Sequence, residues 1–328
     1  MAKVDSKGMV RGTAGSVIYR RYREMNIIQG KPRKFKQTSA SIRSSTEFGL
    51  SSTTAAVIRR AFQPAYIHHD GEAVSRSTQL VYRGIRGSLT GSVGQRDLHD
   101  ADLSAIIGMD FNIKSRLTEV LQVSQRVERD EEGRISVFMG ALNAKTDLRV
   151  PSSINKAVNK YRIRFSLIGF NFRQEYYEYL EVKDLELRKY GQLEAQEIRF
   201  ETRPEADQLL LLSVSLLAYS ETRMEEGYVL LNNKEFSPCA LIAAFPADEQ
   251  DEYPAGSVNL ELSEEQQPRA ASICMMGYEG NRLIRDFRRC MGKLPSAGKP
   301  GNTPGKKAEP DIKVGNRVFF RKDLPLST

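Results

Sequence analysis

The chain has 328 residues, of which 40% are hydrophobic and 27% charged, and these values exclude a protein that is disordered throughout. No apolar run approaches the roughly 20 residues of a membrane-spanning helix, and residues 1–12 lack the apolar segment of a secretory signal peptide. Three widely spaced cysteines argue against a disulfide framework. We therefore expect a protein that is cytoplasmic, or part of a particle assembled in the cytoplasm.

The formal net charge of +8 is distributed unevenly along the chain. Residues 1–60 contain 13 Lys/Arg and 3 Asp/Glu, residues 269–328 contain 13 and 5, and residues 61–268 carry an excess of acid. Between Lys234 and Arg269 every charged side chain is acidic. Segments of opposite sign can attract copies of one chain, and basic ends can also hold a nucleic acid. The alternative is that these charges are solvated surfaces that keep the protein soluble.

The sequence begins with basic, glycine-rich residues 1–14, for which we expect an extended arm. Ser16–Tyr22 alternates apolar or aromatic residues with polar ones, and after a polar turn Ile27–Gln29 is apolar again. This pattern predicts a β-hairpin. Lys31-Pro32 ends it, because proline donates no hydrogen bond to a sheet.

Two helices are predicted next. The first covers Ser44–Phe62, with N-cap candidates at Ser44, Ser45 and Thr46, and with Glu47 placed as in a capping box. Its apolar side is expected to contain Phe48, Ser51, Ala55, Ile58 and Phe62. Gln63-Pro64 is expected to end it, a second helix covers Val74–Ile85, and short helical turns are expected near Asp102–Ile107.

From about Leu117 the apolar period changes from 3.6 to 2, which indicates an antiparallel β-sandwich. Leu209–Leu217 is the best candidate for a central strand, because it is apolar on both faces. The predicted strands are Val120–Val127, Ile135–Met139, Tyr161–Phe172, Tyr179–Tyr190, Ala195–Phe200, Gln208–Tyr219, Tyr228–Leu231, Ala240–Phe245, Val258–Leu262 and Ser272–Met276.

The C-terminal part contains a predicted helix over Gly280–Met291, with Arg282, Arg285, Arg288 and Arg289 directed outward. Pro295–Pro310 is rich in proline and glycine and is typical of a flexible linker. Beyond it, Ile312–Phe320 is predicted to be a strand without a local partner, which completes its own sheet or reaches into a neighbouring molecule.

These segments give a fold class that is mainly β (α+β), an antiparallel β-sandwich with an N-terminal basic hairpin arm and a small helical connector. The predicted organisation is a basic arm and hairpin (1–43), a helical connector (44–116), a β-sandwich (117–294), a Pro/Gly linker (295–311), and a C-terminal strand and tail (312–328).

Signatures of catalysis are missing from the sequence, which has no P-loop, no GxGxxG after a strand, no GxSxG and no HExxH. His68 and His69 suit an exposed polar turn better than a metal site, and His99 suits a helix cap better than a tuned base. Cys239, Cys274 and Cys290 are interpreted as core thiols, although arginines beside Cys290 could lower its pKa. We therefore predict no enzyme, no cofactor, no metal and no small-molecule substrate.

The N-terminal 60 residues resemble the opening of a family of uncharacterised bacterial proteins. The residues concerned are Gly12-Thr13-Ala14-Gly15-Ser16-Val17, Lys31-Pro32, Lys36-Gln37-Thr38 and Arg43 with Phe48-Gly49. In that family a GS-hairpin and a KP–QT segment precede a helix, and similar openings occur in small proteins encoded among phage structural genes. The resemblance implies a phage-like structural or assembly context and carries over no catalytic residue.

The leading hypothesis is a non-enzymatic structural subunit that self-associates or docks into a larger particle or filament. A basic arm would meet an acidic surface on a neighbour, or the arm or tail strand would join the neighbour's sheet. The predicted contact residues are Arg11, Arg20, Arg21, Arg23, Lys31, Arg33, Lys34 and Lys36 in the arm, Asp248, Glu249, Asp251 and Glu252 in the acidic segment, and Val314, Val318 and Phe320 in the tail.

Two alternatives remain. The aromatic and basic residues of the arm, including Tyr19, Tyr22 and Phe35, are also what single-stranded nucleic acid needs for stacking and phosphate neutralisation. The second hypothesis is therefore a nucleic-acid-binding accessory protein. The third is a monomeric module that binds a protein or glycan on its sandwich face.

Overall fold

The computed structural model describes residues 2–6, 8–22, 25–32, 37–222, 227–248, 273–292, 312–314 and 317–319. The chain divides into two compact units, Met1–Arg289 and Cys290–Thr328. Antiparallel sheets dominate, and helices make up a smaller share, so the class is mainly β as predicted. The predicted linker 295–311 and the predicted strand Val258–Leu262 lie outside the described residues.

Four short strands at the N-terminus form an antiparallel sheet in the order β1-β2-β3-β4, which we call the arm sheet. The strands are β1 (Lys3–Val4), β2 (Val10–Ala14), β3 (Val17–Tyr22) and β4 (Met25–Gly30). The β3–β4 pair confirms the predicted hairpin, whereas β1 and β2 replace the extended arm predicted for residues 1–14. A two-residue loop joins β2 to β3, and Gly15 in it has φ +58, a conformation that suits glycine.

Two long helices follow, α1 (Ser39–Tyr66) and α2 (Ala73–Gly87). The predicted N-cap at Ser44–Thr46 is wrong, because the cap is Thr38, whose hydroxyl accepts the backbone N–H of Ser41 at 3.2 Å. The predicted stop at Pro64 is also wrong. This proline removes one helical hydrogen bond in the last turn, but the helix continues past it to Tyr66, and Ala65 and Tyr66 are buried.

The largest sheet has six antiparallel strands in the order β13-β12-β8-β9-β15, with β14 also paired to β12. As predicted, β12 lies in the interior, and its alternate leucines enter two different cores. The strands are β8 (Lys160–Asn171), β9 (Tyr176–Arg188), β12 (Leu209–Glu221), β13 (Tyr228–Leu230), β14 (Cys239–Phe245) and β15 (Ile273–Met275).

Smaller elements cover one face of this sheet. The predicted strand over Val120–Val127 is wrong in its first half. A short helix begins at Leu117, whose backbone N–H donates to the carboxylate of Asp110 at 3.0 Å, and it extends to Val120. The elements are α3 (Leu117–Val120), β5 (Gln125–Arg129), β6 (Ile135–Met139), β7 (Leu142–Asn143), α4 (Ser152–Ala157), β10 (Gln192–Leu193) and β11 (Gln196–Arg199), with β11-β6-β5 forming a three-stranded sheet and β10-β7 a pair.

Two apolar cores lie on opposite faces of the six-stranded sheet. One contains side chains of β6, β8, β11 and β12, such as Val137, Phe165, Ile198 and Leu212. The other joins the sheet to α1 and α2 and to the short helical turn Leu103–Ile106, through residues such as Phe62. Of the predicted apolar side of α1, only Phe48 is wrong, because it is 57% exposed.

The C-terminal helix α5 (Gly280–Gly292) confirms the prediction for Gly280–Met291. The predicted single tail strand is wrong. Residues 312–319 contain two strands, β16 (Ile312–Val314) and β17 (Arg317–Phe319), which pair with each other. The intervening Gly315-Asn316 is a two-residue sequence typical of hairpin turns, so a local partner was available after all.

Candidate functional site

The arm sheet has two faces of different chemistry. The strand registers place Val4, Val10, Val17, Tyr19 and Ile28 on one face, together with a single arginine, Arg21. The opposite face contains Lys3, Arg11, Ile18, Arg20 and Ile27. No described residue between 2 and 32 is buried, and Val4 and Ile28 are 69% and 64% exposed. Both faces therefore lie open to solvent in the single chain.

Three of the predicted arm residues come together. Arg11, Arg20 and Arg21 line a shallow recess with Tyr19. Arg11 forms an ion pair of 3.5 Å with Asp5. The backbone N–H of Lys31 donates to the carbonyl of Ser16, and the Lys31 side chain is exposed. The other predicted arm residues, Arg23, Arg33, Lys34 and Lys36, lie outside the described residues.

The predicted acidic surface is described only at its first residue. Asp248 accepts a hydrogen bond of 2.6 Å from Arg129 at the end of β5. This carboxylate therefore has a partner within its own chain. Glu249, Asp251 and Glu252 lie outside the described residues.

The predicted tail residues fall within or beside the C-terminal hairpin. Val314 pairs with Arg317, and Val318 pairs with Lys313. Phe320 lies outside the described residues. The tail was expected to offer a strand without a partner, but the edges that β16 and β17 turn to each other are already paired.

The histidines were weighed as possible catalytic or metal-binding groups. The described residues contain no group of three or more His, Cys, Asp or Glu side chains that could hold a metal ion. The ring of His69 packs edge-on against Tyr66, at 6.1 Å between centroids, and Asp70 forms an ion pair of 2.6 Å with Arg76. The predicted helix cap near His99 is supplied by Asp102, whose carboxylate accepts the N–H of Ser104.

His99 belongs to a buried polar cluster that sequence reasoning missed. Its Nε2 accepts the backbone N–H of Phe172 at 3.1 Å. Arg173, the next residue on that turn, forms ion pairs with Asp97 (3.3 Å) and Asp100 (3.2 Å). Burial and the nearby carboxylate of Asp97 raise the pKa of Asp100, against the opposing charge of Arg173. The cluster connects segments more than 70 residues apart and fixes them to each other.

The three cysteines differ in their environments. Cys239 is buried, and desolvation raises the pKa of its thiol strongly. Cys274 is half-buried beside the second core. Cys290 is exposed, so the core prediction is wrong for this residue.

A groove of about 550 Å³ lies over the outer face of the three-stranded sheet. Its floor includes Phe138, and its walls contain both acidic and basic side chains. Arg134 binds Asp130 at 2.9 Å, and Arg199 binds Glu197 at 2.7 Å. The arginines of the groove are therefore largely neutralised by its own carboxylates.

No protein-family model, curated protein sequence or solved structure matches this chain. Among the helices of the described residues, none has the length and apolar character to cross a bilayer.

Proposed function

We propose that this protein is a non-enzymatic structural subunit that associates with copies of itself, or docks into a larger phage-like particle or filament, through its arm sheet. The observation that carries the proposal is a four-stranded sheet without one buried side chain among its described residues. Small sheets become stable when an apolar face is covered. The face with Val4, Val10, Tyr19 and Ile28 has that character and needs a partner.

The energetics favour a second molecule as that partner. Burying apolar surface contributes about 25 cal/mol per Å², so covering the apolar side chains of this face would stabilise the sheet and the complex together. The basic residues on the other face and at the recess would keep the free arm soluble and would steer it toward an acidic surface.

The tail takes a smaller part in this proposal. Its two strands already pair with each other, so strand exchange would have to open or extend a hairpin. The arm sheet presents more surface with no such requirement.

We also propose that the β region is a sandwich. The support is that β6 and β11 from the three-stranded sheet and β8 and β12 from the six-stranded sheet contribute to one apolar core.

The decisive experiment measures the mass of the nuclease-treated full chain by light scattering, at about 0.05 M and at about 0.5 M salt. At the higher concentration the Debye length is only about 4 Å, so contacts between charges are screened. We expect species larger than the 37.0 kDa monomer for the wild type. The variant Val4→Asp with Ile28→Asp should be monomeric. Tyr190→Ser is the control, since Tyr190 is 73% exposed outside the arm and its loss should leave the mass unchanged. A monomeric wild type at both salts, or an assembled arm variant, contradicts the proposal.

A second candidate function, binding of single-stranded nucleic acid by the arm, rests on the recess in which Tyr19 lies among three arginines. It predicts that Arg20→Gln with Arg21→Gln lowers the affinity for an oligonucleotide and leaves the mass of the protein unchanged. Self-association through the apolar face predicts instead that Val4→Asp with Ile28→Asp lowers the mass of the protein and leaves its affinity for the oligonucleotide unchanged.

A further inference from the structure

Helices α1 and α2 pack side by side over one face of the six-stranded sheet, and α5 contacts α1 near Gly49. On one flank of α1, Arg59 donates to the hydroxyl of Ser77 on α2, and the rings of Phe48 and Tyr82 are 6.0 Å apart. From the first contact to the second, the residue number falls on α1 and rises on α2, so the two helices are antiparallel.

On the other flank, α1 meets α5 and the residues before it. Thr54 lies 3.3 Å from the hydroxyl of Tyr278, and a Cβ placed on Gly49 would lie 3.1 Å from Leu283. The contact at Leu283 therefore places α5 against α1 near Gly49. We call α2, α1 and α5 together the helical layer.

The charged residues of the helical layer are almost all arginine. Its three helices contain ten arginines, no lysine and only two acidic residues, Glu47 and Asp286. The eight exposed arginines are Arg43, Arg60, Arg83, Arg86, Arg282, Arg285, Arg288 and Arg289.

Little acid is available to neutralise them. Glu47 is buried against Arg96 and does not reach the surface. Glu279, just before α5, pairs with Arg282 at 2.8 Å, and Asp286 pairs with Arg289 at 3.6 Å. Arg43, Arg83 and Arg285 form no ion pair with any described residue. A surface of this kind has an excess of positive charge that favours an anionic partner.

The kind of side chain indicates the kind of anion. Guanidinium groups bind phosphate oxygens through two parallel hydrogen bonds, which lysine cannot do. The face also holds an aromatic pair, in which Phe48 is 57% exposed and the guanidinium of Arg86 lies 5.6 Å from the centre of the Tyr82 ring.

We propose that the exposed face of the helical layer binds the phosphodiester backbone of a nucleic acid. Arg83, Arg86 and Arg285 contact phosphates, and Phe48 stands where an unpaired base would stack on it. This site is separate from the arm sheet, and it does not depend on the function proposed for the arm.

The test uses the full chain and fluorescein-labelled DNA of about 20 nucleotides, single-stranded or as a duplex, in anisotropy titrations between about 0.05 and 0.3 M salt. The variant Arg83→Gln/Arg86→Gln/Arg285→Gln should lose at least about tenfold in affinity at about 0.1 M salt, and the slope of log K against log salt should fall by about 2–3. The matched control Arg116→Gln/Arg149→Gln/Arg188→Gln removes three exposed arginines outside the layer and should bind as the wild type does.

Two further variants identify the contacts. Replacing the same three layer arginines by lysine should give an affinity between those of the wild type and the glutamine variant, because charge remains and the paired hydrogen bonds are lost. Phe48→Ser should weaken single-stranded DNA more than duplex, since only unpaired bases are free to stack.

The proposal is overturned if the layer variant and the control lose affinity equally, or if Arg20→Gln with Arg21→Gln alone abolishes binding. It is also overturned if the wild type binds anionic phosphatidylglycerol vesicles but binds neither single-stranded nor duplex DNA. That result would assign the face to a membrane. Circular dichroism and melting of each variant show whether the fold is kept.

Discussion

Oε1 of Glu47 on α1 lies 2.7 Å from Nη2 of Arg96, and both side chains are almost completely buried. The same oxygen accepts the backbone N–H of Gly94 at 3.0 Å and Nε of Arg96 at 2.9 Å. One carboxylate therefore fixes the loop after α2 to the first third of α1. The loop in turn contacts α5, since Arg288 donates to Gln95 at 2.7 Å.

Removing one member of this buried pair should be costly. Glu47→Ala leaves the guanidinium of Arg96 without its counter-charge, and we expect the free energy of unfolding to fall by about 3–5 kcal/mol. The double variant Glu47→Leu/Arg96→Met removes both charges and should cost much less. Urea denaturation measures both changes.

An exposed pair provides the control. Lys114 and Glu235 form an ion pair with both side chains at least half exposed, so Glu235→Ala should change the unfolding free energy by less than about 1 kcal/mol. If Glu47→Ala has an equally small effect, the Glu47–Arg96 pair does not hold the loop.

Gly94 should be sensitive to the addition of one methyl group. Its φ is +95, and a Cβ there would lie 2.7 Å from the ring of Phe287 on α5. Gly94→Ala combines backbone strain with overpacking, and we expect a loss of about 2–4 kcal/mol. Gly108 also has positive φ (+79) but no neighbouring atom within 4 Å of such a Cβ, so Gly108→Ala should cost only about 1–2 kcal/mol. Equal losses in thermal or urea unfolding contradict a close approach of α5.

The hydrogen bond from Phe172 N–H to His99 Nε2 predicts a further change in stability. His99→Ala leaves a buried N–H without this acceptor, which should lower the unfolding free energy by about 1–3 kcal/mol. His99→Gln offers a carbonyl oxygen in place of the ring nitrogen and should recover part of the loss. If both variants are as stable as the wild type in urea, this bond has no part in fixing the turn at Phe172.

The strands were the most predictable part of this fold. Alternation of apolar and polar residues located β6, β8, β9 and β11, and the unbroken apolar run of β12 indicated a central strand. These patterns are local, and a sheet with one or two buried faces reproduces them directly. The outward arginines of α5 follow from its helical period in the same way.

The predictions were wrong where residues far apart in the sequence determine the local structure. Glu47 lies in the spacing of a capping box, yet its carboxylate bonds Arg96, 49 residues away. Pro64 reads as a helix stop, but buried Tyr66 keeps the last turn in place. The helical layer went unrecognised because its arginines come from three segments that meet only after folding.

Acid should weaken the protein through Asp70. Burial by itself would raise the pKa of this carboxyl, but hydrogen bonds from Arg76 and from the N–H groups of Ile113 and Glu72 outweigh it and lower the pKa from 3.8 to about 2. Since the pKa is lower in the folded state, the stabilisation is present above about pH 4 and is lost as the pH falls toward 2.

The size of this effect follows from the pKa difference. The stabilisation is about 2 kcal/mol near neutral pH, and about 1 kcal/mol of it should be lost between about pH 5 and pH 3. Asp70→Asn has no charge to titrate, so its stability should decline less over this interval in urea unfolding. Asp130→Asn is the control, because Asp130 is exposed although Arg134 also lowers its pKa, and it should retain the acid response of the wild type. A decline of equal slope in wild type and Asp70→Asn would show that the Asp70–Arg76 contact does not govern acid stability.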